Sequence, residues 1–480
     1  MMKNLYITTT LPYVNAEPHI GFAMEIIRAD IIARSKKNDG FDVFFNTGTD
    51  EHGQKLFEAA KLAGKDVQSY VDEYAEKFKT LKSVLGLSDD LHFIRTTDPH
   101  HEKAAQEFWN RVMNNGFIYK KNYKTKYCVG CEENKTDSEL VDGRCPIHPT
   151  REIEIIDEEN YFFKLSSFGD RLLELYDGGK FRVVPEFRLN EMREFIKRGL
   201  EDFSISRLKS KMSWGIPVPG DDSHVMYVWF DALVNYLSTL GWPENKEMFK
   251  KYWENGTPIQ YCGKDNTRFQ SVMWQAMLLA ADLPNTSTIV VDGFITGDKG
   301  VKMSKSIGNV ISPVDIVNEY GTDALRYFLS REVSAFEDSP FTIERFKAGY
   351  NASLANGLGN LVSRVMKMVD SYEVKYELPK VEEIKDGAVD EFLNKFELDR
   401  AIDKIFTRVS DMNVTIQESK PFSLVKTDPD AAKKIVGQLA IDLFVTAHLL
   451  LPFMPQTAEN IKNLVVSHKV PENPLFLRKD

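Results

Sequence analysis

Two groups of residues in this chain have types and spacings suited to chemistry. The first pairs His19-Ile20-Gly21-Phe22 with Lys302-Met303-Ser304-Lys305-Ser306, and Lys302 lies 283 positions after His19. His19 follows Pro18 at the start of a predicted helix, in which Ile20, Ala23, Met24, Ile27 and Ile31 recur at helical spacing. A helix N-terminus offers unpaired N–H groups and the positive end of its dipole, which suit a polyphosphate. The lysine run is flanked by Gly297, Gly300 and Gly308, with Lys299 beside Lys302 and Lys305. A cationic loop of this kind can close over phosphates and neutralise charge that develops during phosphoryl transfer. The second group is Cys128-x2-Cys131, then 13 residues, then Cys145-x2-His148. Three thiolates and one imidazole in two tight turns suit a tetrahedral zinc with no open position, so one structural zinc per chain is expected. Cys262 stands apart on a predicted buried strand and reads as a core thiol.

These residues need a frame to hold them. Residues 1–116 alternate strands (5–9, 43–46) with helices (18–37, 54–63), the mark of a doubly wound parallel sheet. Residues 117–225 break that rhythm with the cysteine cluster and irregular polar loops, and read as an insertion. The α/β pattern resumes over 226–291: a strand at 225–229, an amphipathic helix from Phe230, a strand at 259–262, a helix at 268–281 and a strand at 288–291. A connecting segment with the lysine loop spans 292–345, and 346–480 reads as helices broken by a polar linker at 371–385. The expected class is α/β: a doubly wound parallel nucleotide-binding sheet split by a zinc-binding insertion, then an all-α bundle.

Composition narrows the function classes. The chain has 480 residues, 42% hydrophobic and 28% charged, which is ordinary for a soluble protein. It shows no apolar run of bilayer length and no basic-then-apolar start, so no membrane partner is expected. Clustered cysteines argue for metal rather than disulfides, and hence for a reducing, cytoplasmic setting. A net charge of −10 neither advertises nor excludes nucleic-acid binding, which depends on local patches. Lys120, Lys121, Lys124 and Lys126 form one patch, equally readable as a solvated basic loop.

The His19 and Lys302 motifs resemble HIGH and KMSKS of the class I aminoacyl-tRNA synthetases. Further residues resemble the methionyl-tRNA synthetases over nearly the full length: Leu11-Pro12-Tyr13-Val14-Asn15, Thr47-Gly48-Thr49-Asp50-Glu51-His52-Gly53, Val228-Trp229-Phe230-Asp231-Ala232 and Gly263-Lys264-Asp265. The resemblance implies activation of L-methionine with ATP and Mg²⁺, then transfer to tRNA(Met). It implies His19, Lys302 and Lys305 as catalytic residues. ATP would be held by His19, Gly21, Phe22, Gly263, Asp265, Lys302, Ser304 and Lys305, with Asp265 on the ribose. Leu11, Tyr13, Trp229, Ala232, Tyr236 and Gln270 would wall the methionine side chain, and Asp50 would hold its ammonium. An unbranched thioether suits aromatic, polarizable walls and a hydroxyl that donates to sulfur. Trp229 and Tyr236 are seven apart and would share a helical face. In the helical tail, Asn360, Arg364 and Phe422 would read the CAU anticodon by hydrogen bonds and stacking.

Three positions depart from the family pattern. Phe22 replaces the second histidine of HIGH, Gln270 stands where a pocket histidine is usual, and Leu233 follows Ala232 where proline is common. Phe22 motivates an alternative, a catalytically weakened RNA-binding paralogue. The local metal cluster argues against a cysteinyl enzyme, and 117–225 leaves no room for the editing insertion of leucine, isoleucine and valine enzymes. The chain ends soon after the helical region, so a monomer is expected.

Overall fold

The computed structural model describes residues 3–297, 300 and 310–480, so Lys302, Ser304 and Lys305 lie outside the described residues. The frame is a six-stranded sheet built from β1 (Asn4–Thr8), β2 (Asp42–Thr49), β3 (His92–Arg95), β4 (Arg182–Val184), β5 (Thr257–Gly263) and β6 (Thr288–Asp292), in the order β3-β2-β1-β5-β6-β4. β1 pairs in parallel with β2 (Leu5 opposite Val43) and with β5 (Leu5 opposite Thr257). These strands are near-continuous apolar runs, as a parallel sheet covered on both faces demands. Leu5, Tyr6, Ile7, Val43, Phe44 and Phe45 are all buried.

The order of strands reverses at β1 and β5, the kind of crevice where open α/β sheets take ligands at their carboxyl ends. Leu11 and Tyr13 follow the end of β1, Asp50 follows β2, and Asp265 follows β5. Below them an aromatic core includes Phe108, which stacks on Trp274 at 5.6 Å and meets Phe230 edge-on at 5.8 Å.

Contacts divide the chain into two compact units: Met1–Pro18, Gly40–Thr80 and Asp89–Val291, and His19–Asp39, Leu81–Ser88 and Asp292–Asp480. In the first, the insertion is a long antiparallel hairpin, Ile118–Cys128 against Glu154–Phe163, extended by Glu133–Lys135 and Phe203–Ser204. The lysine patch lies on it but is largely matched by acids. Lys120 pairs with Asp221 at 2.7 Å, Lys124 with Asp157 at 3.7 Å, and Lys126 with Asp137.

One predicted strand is corrected. Residues 225–229 are not a single strand: the strand is Asp221–Met226, and a helix runs from Val228 to Leu233. The β-branched and aromatic residues of Val225–Phe230 favour a strand locally, but packing of Phe230 and Leu233 into the aromatic core overrides that preference. The predicted helix at 268–281 begins as a wide π turn, Phe269–Met273, and becomes α-helical only over Trp274–Ala280.

In the second unit, α1 (Ile20–Asn38) is buried nearly all round, including Glu25, Arg28 and Asp30. Hydrogen bonds satisfy the buried charges of Arg28 and Asp30, as burial requires. Arg28 donates to Asp292 at 2.9 Å and to the carbonyls of Ser334 at 2.8 Å and Ala335 at 3.0 Å. Asp30 accepts from Arg326 at 2.8 Å and Ser88 Oγ at 2.6 Å. Helices then follow to the end, among them Leu398–Ser419, Pro429–Leu450 and Pro455–Ser467. Asp428 caps the second of these through the N–H of Ala431, with Pro429 in the first turn.

Candidate active site

His19 is the N-cap of α1, and its Nδ1 accepts the Gly21 N–H at 3.1 Å. A neutral imidazole that accepts on Nδ1 carries its proton on Nε2, so the ring is a donor on its outer side, as a phosphate oxygen requires. Gly21 makes this possible, since a Cβ there would sit 3.1 Å from the ring atoms Cε1 and Nδ1. Ile20 N–H donates to the Ile311 carbonyl at 3.0 Å, tying the start of α1 to the chain leaving the lysine segment. His19 is exposed and Phe22 is buried. No side-chain geometry is described for Lys302, Ser304 and Lys305, which lie outside the described residues.

In the first unit, two backbone hydrogen bonds hold Tyr13 against Asp50. Asp50 N–H donates to Pro12 O at 3.0 Å, and Val14 N–H to Asp50 O at 3.4 Å. Tyr13 and Trp229 pack on the same small cluster of Tyr127, Tyr227 and Val228. Helix α2 (Gln54–Leu62) follows Asp50, and Trp229, on α3 (Val228–Leu233), stacks on Phe269 with ring centres 3.8 Å apart and planes 6° apart. The next residue, Gln270, donates from Nε2 to Tyr236 Oη at 2.6 Å. The helix is interrupted at Val234, yet Trp229 and Tyr236 are brought together through these consecutive residues of the π turn. π turns of this kind are frequent at functional sites. Ala232 is buried and Leu11 is half-buried. Tyr13 Oη, Trp229 Nε1 and Gln270 Oε1 are buried with no hydrogen-bond partner among the described residues. Buried polar atoms of this kind ask for a polar partner.

Asp50 is buried, and its Oδ1 accepts a long contact from the His52 N–H at 3.5 Å. Burial, and then the neighbouring Asp231 carboxylate, push the Asp50 carboxyl well above its ordinary range. His52 Nδ1 lies 2.7 Å from Asp231 Oδ2. Burial disfavours the His52 cation, but Asp231 outweighs it and lifts the imidazole above its usual value. Gly263 is half-buried at the end of β5, and Asp265 is exposed on the single turn Lys264–Asn266 that follows.

The cysteine cluster is assembled at the far end of the insertion hairpin. The ligand atoms of Cys128, Cys131, Cys145 and His148 all lie within 4.8 Å of one another. Cys131 Sγ is 3.5 Å from Cys145 Sγ and 3.2 Å from His148 Nδ1. A zinc–sulfur bond of about 2.3 Å gives tetrahedral sulfur–sulfur edges of about 3.8 Å, so the donor set fits. His148 crosses Gly130 so closely that a Cβ there would sit 2.5 Å from its Cγ. Burial works against ionisation of Cys145, yet the N–H groups of His148 and Ile147 bring its thiol below the usual value. Cys262 is fully buried in the core.

In the helical part, α4 (Asn360–Ser371) carries Asn360 exposed and Arg364 half-buried. Phe422 is 51% exposed on the single turn Pro421–Leu424.

The profile of the family described as "tRNA synthetases class I (M)" matches residues 5–153 and 150–366. The methionine–tRNA ligase of Thermotoga maritima is 41% identical over 95% of this chain and 74% of its own length. That of Rickettsia bellii is 38% identical over 95% of this chain and 92% of its own. The chain belongs to the methionine–tRNA ligase family. Its fold is similar to that of Mycobacterium tuberculosis methionyl-tRNA synthetase in complex with methionyl-adenylate, with a TM-score of 0.89, 36% identity and coverage of 96% and 94%. Membership of the methionine–tRNA ligases sets aside the cysteine, leucine, isoleucine and valine readings.

Sequence reasoning assigned no role to His52, Asp231 or Phe269. Two of them stood inside quoted motifs, where buried charge beside Asp50 was the available signal. Phe269 had none, because its partner Trp229 is 40 residues away.

Proposed function

We propose that this chain activates L-methionine with ATP to methionyl-adenylate and then transfers methionine to tRNA(Met). The whole-chain likeness to a synthetase holding methionyl-adenylate carries this reading. The methionine carboxylate attacks the α-phosphorus in line, and the bond to pyrophosphate breaks as the new one forms. The terminal ribose hydroxyl of the tRNA then attacks the methionyl carbonyl and gives up its proton, the acyl–phosphate bond breaks, and AMP leaves. No protein nucleophile is needed, so the residues position groups and stabilise charge. Asp50 takes the ammonium. Leu11, Tyr13, Trp229 and Ala232 wall the thioether. Gln270 donates to the Tyr236 oxygen at 2.6 Å and so holds the tyrosine ring in the wall of the same pocket. Gly263 and Asp265 face the ribose, while His19, Gly21, Phe22, Lys302, Ser304 and Lys305 serve the nucleotide. Mg²⁺ bound with ATP supplies further phosphate neutralisation.

Pyrophosphate exchange with methionine as the only added amino acid tests the proposal. Wild-type protein without exchange at saturating ATP and Mg²⁺ that still binds tRNA would hand the case to the RNA-binding paralogue.

The Cys128, Cys131, Cys145 and His148 cluster is proposed to hold one zinc that contributes folding energy alone. Metal analysis of the native protein should give one equivalent, and Cys145→Ala should lose it. Well under one equivalent, with no other tetrahedral metal, refutes the assignment. Asn360, Arg364 and Phe422 are proposed to read the CAU anticodon: an exposed amide, a guanidinium and an exposed ring suit unstacked bases. Arg364→Ala should depress tRNA charging about 10-fold or more while exchange stays near wild type, since that half-reaction needs no tRNA. Equal losses would make the arginine a folding residue. The chain is proposed to act as a monomer, which sedimentation checks. Thiolate ligands suit a reducing cytoplasm, and among the described residues no helix is long and apolar enough to cross a membrane.

A further inference from the structure

Two consecutive carboxylates directly after Cys131 leave the metal loop and reach two different segments of the first unit. Glu132 is 1% exposed and holds a left-handed backbone (φ 54°), uncommon for a residue with a side chain. Its Oε1 accepts the Lys55 N–H at 2.7 Å, and its Oε2 accepts the Tyr127 hydroxyl. Lys55 is the second residue of α2, and Gly53, the N-cap, brings no side chain to the cap. Glu132 therefore caps α2 from outside, where a carboxylate is favoured by the orphan N–H groups and the dipole. The capped turn follows Asp50 by only three residues. Glu133 pairs with Lys135 at 2.5 Å and also accepts from Arg268. Arg268 immediately precedes Phe269, which stacks on Trp229, and Gln270, which bonds Tyr236.

A loop that only enclosed a metal would need neither contact. Its own strand pairing, Cys128 opposite Glu133, already joins Glu133–Lys135 to the hairpin. Instead one acid is spent on the turn that carries the ammonium-binding carboxylate. The other holds the residue that leads into the aromatic and amide wall. We propose that Glu132 and Glu133 are positioning residues that fix the two walls of the methionine pocket from the metal loop. This rests on the reading of the chain as a methionine-activating enzyme.

The test uses the metal-loaded full chain. Methionine binding is measured by calorimetry, and pyrophosphate exchange gives KM for methionine, KM for ATP and kcat. Glu132→Ala should raise the methionine Kd and KM about 10- to 100-fold, the effect of losing a charge-assisted hydrogen bond. KM for ATP should move less than about twofold, and metal content should stay at the wild-type value. Glu132→Gln should recover most of the loss, because its amide oxygen still accepts from Lys55 and its NH₂ can donate to Tyr127. Arg268→Ala, which breaks the second link from the pocket side, should raise methionine KM in the same selective way. An unchanged methionine Kd in Glu132→Ala and Arg268→Ala overturns the proposal. So does a loss shared equally by methionine, ATP and metal, which marks a general folding role. If wild-type protein shows no methionine-dependent exchange, the functional reading fails first. If it exchanges and the variants match it, only the positioning role fails.

Discussion

Asp50→Asn should raise the dissociation constant for methionine by about 30-fold to several thousand-fold, the equivalent of about 2–5 kcal/mol for truncating one partner of a buried charge pair. The substitution keeps the shape of the side chain and removes only its charge. Asp50 is 4% exposed and has no lysine or arginine within ion-pair distance among the described residues. Its nearest charges are of its own sign, with Asp231, Glu132 and Glu51 all lifting its pKa. His52 does not relieve this, because it is committed to Asp231 at 2.7 Å. A carboxylate held in that way accepts an ammonium readily and water poorly. The sign of the pH dependence follows. In the free protein the Asp50 pKa is raised, and a bound ammonium would lower it, so binding releases a proton. Affinity should therefore fall as pH drops through the raised pKa of the free state, and level off above it. Calorimetry over a pH series above the ordinary carboxylate range should show this slope in wild-type protein and a flat, weak response in Asp50→Asn. A variant that binds methionine as tightly as wild type would remove Asp50 from the ammonium site.

How much of this could be read from the sequence depended on whether the determining contact was local. β1 and β2 were legible within one to three residues, because apolar runs bounded by polar turns carry their own signal. The cysteine cluster was legible because ligand spacing is a local property, and the four ligand atoms do converge. Helix α1 was legible as a helix but only half understood. Its apolar stripe suggested one buried face, whereas Arg28 and Asp30 are buried too, paired with residues near 290, 326 and 334. Nothing within the helix announces those partners. The segment 225–229 failed for the opposite reason: a strong local strand preference lost to packing against Phe108 and Trp109, more than 100 residues earlier. The Trp229–Phe269 stack, the His52–Asp231 pair and the Glu132 cap span 40, 179 and 77 residues. Periodicity carries no information about such pairings, and of these six residues the resemblance to a family implied a role for Trp229 alone.

Lys305→Ala should lower the rate of methionyl-adenylate formation about 10²- to 10³-fold, the usual effect of removing one group that stabilises developing transition-state charge. Lys302→Ala should act in the same direction. Both lysines lie outside the described residues, so the argument rests on chemistry and on the flanks of their segment. On one side Asp292 is held by Arg28 from the middle of α1 at 2.9 Å. On the other, Ile311 O accepts the Ile20 N–H at the start of the same helix. Asp292 and Ile311 thus both bond to the helix that presents His19, whose outer nitrogen is the donor. A lysine that acts in the transition state meets charge that grows on the phosphate oxygens as pyrophosphate departs, and not the neutral thioether or the ammonium. The loss should therefore appear in the rate constant for adenylate formation, with methionine Kd changed less than about threefold. Lys305→Arg should recover part of the rate, since it restores charge with altered reach. Single-turnover measurement of adenylate formation separates these terms. A large rise in methionine Kd with an unchanged rate constant would move the lysine from transition-state stabilisation to ground-state binding.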